Sequence, residues 1–154
     1  MKIEKLNIKR EAIENPKLNK IIGKMDALIT DLNTREIPTI ICNEINVVIK
    51  TLNSKSEPEK EQMKTLKKAY CKILKILEKK LKMVPKNHYR NLWMAIGISI
   101  FGVVFGSALS SSTGNSSYIG IGIPIGVAIG IAVGTDLDKK AFKNGKQLNV
   151  SAGR

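Results

Sequence analysis

The chain has 154 residues, with 26 Lys and Arg against 13 Asp and Glu, a formal net charge of +13. The charge is split: residues 1–90 hold 21 basic and 11 acidic groups, residues 136–154 hold 5 and 2, and Asn91 to Thr135 holds none. An uncharged run of 45 residues argues against a wholly soluble basic protein. One histidine, His88, and two distant cysteines, Cys42 and Cys71, leave no parts for a Cys/His metal site, a CxxC redox motif or a Cys/His nucleophile pair. The cysteines read as reduced, half-buried packing residues. The expectation is a non-enzyme without cofactor or metal.

The N-terminal MKIEKLNIKREAIENP is charged every two or three residues and lacks the apolar core of a secretory signal, so the first ninety residues are expected to stay in the cytoplasm. Leu18, Ile21, Met25, Leu28 and Leu32 form one helical stripe, predicting a helix over 17–33 with Asn15-Pro16 as its start signal. Ile37, Ile41, Ile45, Val48 and Leu52 predict a second helix to about Asn53, with Pro38 in its first turn. After a polar turn, Ser56 is a candidate cap for a third helix over about 57–84. Met63, Leu66, Tyr70, Ile73, Leu77, Leu81 and Val84 make its apolar face.

If that helix persists, Lys68, Lys72, Lys75, Lys79, Lys82 and Lys86 fall together on the opposite face. Like charges four apart oppose the helix by about 0.2–0.5 kcal/mol per pair. The stripe reads either as a solvated face, in a chain with 22 Lys and 4 Arg, or as a contact for anionic lipid or a partner.

Leu92 to Leu109 and Tyr118 to Gly134 predict two membrane spans, about 92–110 and 118–135, joined by the polar turn Ser110–Ser117. Lysines and arginine flank both outer ends and the turn is uncharged, which predicts both termini in the cytoplasm. Tyr89, Arg90, Trp93 and Tyr118 are candidate interface anchors. Gly122, Gly126, Gly130 and Gly134 recur every four residues, a packing ridge that Gly102, Gly106 and Ser110 could meet from the first span. A second small ridge, Gly120, Pro124, Ala128 and Ala132, lies near the opposite side and is a candidate face for another copy. From Ile119 to Gly134, Ile or Val also alternates strictly with Gly, Ala or Pro, the period of a strand. A lone strand would leave its backbone unsatisfied in lipid, which favours the helix.

The residues Tyr89-Arg90-Asn91-Leu92-Trp93, FGVVFG at 101–106, and IGIGIPIGVAIGIAVGTDLDKKA from Ile119 to Ala141 resemble the glycine-zipper family of small bacterial two-span membrane proteins, over roughly residues 86–150. The resemblance implies helical spans and a bacterial inner membrane, and it transfers no catalytic residues.

The expected architecture is all-α: a small cytoplasmic bundle of about three helices over 1–85, then a transmembrane hairpin with a short basic tail over 86–150. The expected role is a membrane-anchored interaction or scaffold protein. Its expected partners are the lipid bilayer, further copies of itself and an unidentified cytoplasmic protein. The alternative is an oligomeric pore or membrane-disrupting effector, for which only Ser99, Ser107 and Ser110–Ser112 offer polar lining. Nucleic acid is disfavoured, since the first ninety residues hold two tyrosines and no other aromatic ring apart from His88.

Overall fold

The computed structural model describes residues 2–8, 15–54 and 58–152, and the positions expected to cap and open the third helix, Ser56 and Glu57, lie outside them. The elements are α1 (Pro16–Asn33), α2 (Thr39–Asn53), α3 (Glu59–Leu81), β1 (Val84–Lys86), α4 (His88–Gly97), a π-helical segment (Ile98–Phe105), α5 (Gly106–Thr113), α6 (Ser117–Lys143) and β2 (Gln147–Ser151). The all-α class holds; among the described residues the two short strands pair only with each other. The chain divides into two compact units, one built from residues up to Pro85 together with those from Leu148 onward, the other from Lys86 to Gln147.

In the first unit the three predicted stripes meet as the core. Leu18, Ile22, Met25, Leu28 and Leu32 of α1, Ile45 and Ile49 of α2, and Leu66, Tyr70, Ile73 and Leu77 of α3 are all buried. At about 25 cal/mol per Å² of apolar surface, full burial of each such side chain contributes about 1.5–3 kcal/mol against the entropy of ordering the chain. Asn15 caps α1 as expected, its side chain accepting from the Lys17 N–H at 3.0 Å. Pro38 is the N-cap residue of α2 rather than part of its first turn, because its extended ψ of 138° lies outside the helix.

An extended segment preceding α1 was not legible as an element. Side-chain amides of the helices hold it in place of a neighbouring strand. Asn33 accepts from the Ile3 N–H and donates to the Ile3 carbonyl; Asn46 accepts from the Glu4 N–H and donates to the Lys2 carbonyl; Asn53 accepts from the Asn7 N–H and donates to the Lys5 carbonyl. The spacing explains the match. Seven residues of α2 rise about 10.5 Å and three residues of extended chain about 10 Å, so Asn46 and Asn53 stay in register with backbone groups three residues apart.

The C-terminal segment, expected as a short basic tail of the hairpin region, joins the first unit from Leu148 onward. Leu148 and Val150 of β2 are buried in the first unit's core. Asp31 of α1, itself buried, accepts from the Asn149 N–H at 3.1 Å and its side-chain amide at 3.2 Å, and is held by Arg35 at 3.1 Å. The Tyr70 hydroxyl donates to the Ser151 carbonyl at 2.9 Å.

Burial, with the nearby Cys71 thiol adding to it, pushes the Tyr70 phenol from 10.0 up to about 12. Its folded value is raised, so the neutral phenol's contribution to stability is complete below pH 10 and is lost as pH rises towards 12. Two units correspond to about 2.7 kcal/mol. Tyr70→Phe is therefore expected to cost about 0.5–1.5 kcal/mol near neutrality, through the lost hydrogen bond, and to flatten the alkaline decline. Urea midpoints of the detergent-solubilised chain at about pH 8 and about pH 11 check this; parallel declines in both proteins would refute it.

Candidate functional site

α4, the π-helical segment and α5 run on as one helix, His88–Thr113, of 26 residues, at most about 39 Å long at α-helical rise. It and α6 are both long and apolar enough to cross a membrane. Only 17% of the most apolar window of each is buried. Ile100, Phe101, Val103, Val104 and Phe105 on one helix, and Ile121, Ile125 and Ile131 on the other, are exposed. A soluble core helix would cover such residues; here they form a belt that water would penalise and lipid would not. The strand alternative for 119–134 is overturned: these residues lie in α6, with the four-residue glycine register on its buried side and the branched residues 121, 125, 129 and 133 pointing outward.

The turn between the helices is shorter than expected. Ser110 to Thr113 continue α5, and Gly114, at φ +67°, ends the helix in the left-handed conformation that glycine adopts without strain. Four hydroxyls close on their own helix: Ser99 donates to the Ala95 carbonyl, Ser107 to Val104, Ser112 to Ala108 and Thr113 to Leu109.

The glycine ladder is the seam of this hairpin. A Cβ at Gly122 would lie 2.7 Å from the Gly102 carbonyl oxygen and 3.2 Å from the Gly106 Cα. One at Gly126 would meet the Gly97 carbonyl, one at Gly130 the Trp93 carbonyl and the Met94 Cα, and one at Gly134 the Arg90 Cα and the Tyr89 carbonyl, all closer than 3.0 Å. Partners advance along the first helix as the glycines descend α6, which is antiparallel packing of backbone on backbone. Gly102 and Gly106 are both buried there, as expected.

Gly97 completes the seam and was missed. Five residues from Gly102, it lies about 140° away on an α-helical wheel, on the wrong face. The π-helical segment absorbs the extra residue and brings both glycines against α6. The second small ridge lies elsewhere: Gly120, Pro124, Ala128 and Ala132 are all exposed, and a Cβ at Gly120 would meet nothing within 4 Å.

One further step of the same register, 134 to 138, reaches Asp138, which is buried at 6% exposure. Its two carboxylate oxygens accept the Tyr89 N–H at 3.1 Å and the Arg90 N–H at 3.0 Å, donors in the first turn of α4. Asn87, the N-cap residue, has a left-handed backbone and no side-chain capping bond, so α6 supplies the cap that α4 lacks. Extending the glycine register by four residues was the signal for this role.

Of the other expected residues, Trp93, Tyr89 and Tyr118 are partly exposed and Arg90 exposed, compatible with interface positions. The lysine stripe is shorter than drawn. Lys68, Lys72, Lys75 and Lys79 are exposed on α3, but the helix ends at Leu81, where Lys82 takes a left-handed conformation at φ 56° and Lys86 belongs to β1. Lys82 and Lys86 are therefore off the stripe. Cys42 is buried, whereas Cys71 is exposed rather than half-buried. A different basic grouping was missed: Lys17, Lys20 and Lys24 of α1 and Lys67 of α3 line a cavity of about 450 Å³ over Ile21 and Tyr70. Among the described residues no three His, Cys, Asp or Glu side chains gather as a metal site.

Comparisons with protein-family models, with curated proteins and with solved structures find no match for the chain.

Proposed function

We propose that the protein is a membrane-anchored interaction protein of the bacterial inner membrane, of the glycine-zipper kind. In this reading the hairpin of α4 to α6 spans the bilayer with both termini in the cytoplasm, and the helical unit of α1 to α3 is held at the inner leaflet. The observation that carries the reading is the exposed apolar belt around a hairpin whose two helices close on a backbone-to-backbone glycine seam. Lysines on the outer ends and an uncharged turn give the orientation. The open ridge of Gly120, Pro124, Ala128 and Ala132 is the face through which hairpins self-associate. The α3 lysines 68, 72, 75 and 79 meet anionic lipid or an acidic partner, each contributing about 1 kcal/mol near an anionic surface.

The pore reading is less well supported, because the hydroxyls of Ser99, Ser107 and Ser112, three of the five serines that could line a lumen, are turned onto their own helix carbonyls.

Cysteine labelling tests the topology. With Asn115→Cys in a Cys71→Ser background, a membrane-impermeant maleimide is expected to label position 115 in intact spheroplasts, whereas Cys71 of the wild type labels only after lysis. The reverse pattern, or equal labelling, would sink the proposed topology. For the oligomer, Ala128→Cys in the same background is expected to give an oxidative dimer; a chain that stays monomeric at bilayer concentrations removes self-association from the proposal.

A further inference from the structure

At the charged end of the hairpin lies an open cavity of about 290 Å³, lined by Asn87 and Arg90 at the start of the first helix, by Thr135, Asp138, Lys139, Phe142 and Lys143 of α6, and by Gln147 of β2. Three features set it apart from a merely solvated lysine face. The one carboxylate in its wall, Asp138, has both oxygens engaged by the Tyr89 and Arg90 N–H groups and is outnumbered by three cations in the lining, Arg90, Lys139 and Lys143. The neighbouring lysine on α6, Lys140, turns away to pair with Asp136 at 2.8 Å, while Lys139 and Lys143, one turn apart, both face the cavity. Beside them Phe142 is 68% exposed, a large apolar ring standing among cations.

The geometry points to a binding site for the phosphate of an anionic phospholipid. This inference rests on the hairpin spanning the bilayer, since that reading puts the end of the uncharged run, at Thr135, level with the headgroups. A guanidinium offers a planar pair of donors to phosphate oxygens, two ammonium groups add charge, and Thr135 and Asn87 supply polar side chains for the glycerol and headgroup oxygens. Phe142 lies where an acyl chain begins. A basic pocket between spanning helices on the cytoplasmic side fits such a headgroup.

Trp93, the chain's single tryptophan, is one turn from Arg90 and reports on lipid at this end of the hairpin. The full-length protein is reconstituted into phosphatidylcholine vesicles containing phosphatidylglycerol, with bromine on the acyl chains of one lipid or the other, and Trp93 quenching is compared at equal mole fraction. The wild type is expected to prefer phosphatidylglycerol about fivefold or more, and Lys139→Gln plus Lys143→Gln to bring the ratio close to one. Lys60→Gln plus Lys64→Gln, at two exposed α3 positions outside the proposed lipid contact, removes the same charge elsewhere and is expected to leave the ratio unchanged. Equal quenching by both lipids in the wild type overturns the site, and so does an equal loss in the two double variants, which would reduce the preference to net charge. Millimolar glycerol phosphate in solution is expected to have no effect; displacement by it would reassign the cavity to a soluble phosphate ester. Absence of quenching by either lipid would instead overturn the membrane reading itself. Far-ultraviolet circular dichroism establishes that the variants remain folded.

Discussion

Gly130→Leu is expected to open the hairpin, while Gly120→Leu, ten residues earlier in the same helix, leaves it intact. At 130 the added Cβ falls on the backbone of Trp93 and Met94, which no rotamer change can move aside. At 120 it meets nothing within 4 Å. Overpacking a core costs about 1–3 kcal/mol when side chains can shift. With rigid helix backbones on both sides, Gly130→Leu belongs at or above the top of that range, about 3 kcal/mol. Titration with a denaturing detergent, followed by Trp93 fluorescence, measures the difference, since Trp93 lies directly opposite the substituted position. If the two variants unfold at the same detergent fraction, close backbone packing is not what holds the helices together.

The second large effect is expected at Asp138. Asp138→Ala leaves two first-turn N–H groups without their acceptor at a buried site, and removes a negative charge from the positive end of the helix dipole. Loss of a capping side chain costs about 0.5–2 kcal/mol, and an unsatisfied buried donor about 1–3 kcal/mol, which puts this variant about 2–3 kcal/mol below the wild type. Asp138→Asn should fall between, because its single amide oxygen can serve only one donor well. Asp136→Ala, at an exposed position two residues away, is the control and is expected to leave the hairpin unchanged. An Asp138→Asn protein as stable as the wild type would show that the two-pronged carboxylate is not needed.

Much of this arrangement was readable from residue spacing because single helices carry their own periodicity. The stripes of α1 to α3, the uncharged spans and the four-residue glycine register all repeat within one element. What escaped depends on two elements at once or on a change of helical pitch. Gly97 joins the seam only because eight residues adopt π geometry, which no α-helical wheel anticipates. Asn33, Asn46 and Asn53 read as ordinary polar residues until an extended segment lies beside them. The lysine stripe was overextended because Lys82 and Lys86 match the α-helical period, while the chain leaves the helix at Leu81 through a left-handed residue that the pattern does not reveal.

The pairing of β1 with β2 has a consequence for biogenesis. Val84 precedes the hairpin in the chain, and Leu148 and Val150, which belong to the same unit, follow it. The core of the first unit is thus discontinuous in sequence and stays unfinished until the last residues of β2 leave the ribosome. If the hairpin spans the bilayer as proposed, its two crossings return those residues to the side of α1 to α3, whereas a single crossing would strand them on the far side, leaving Asp31 without Asn149 and Tyr70 without the Ser151 carbonyl. Completion of the fold would thereby report on the number of crossings: a chain that crossed only once would lack the strand that closes its own first unit.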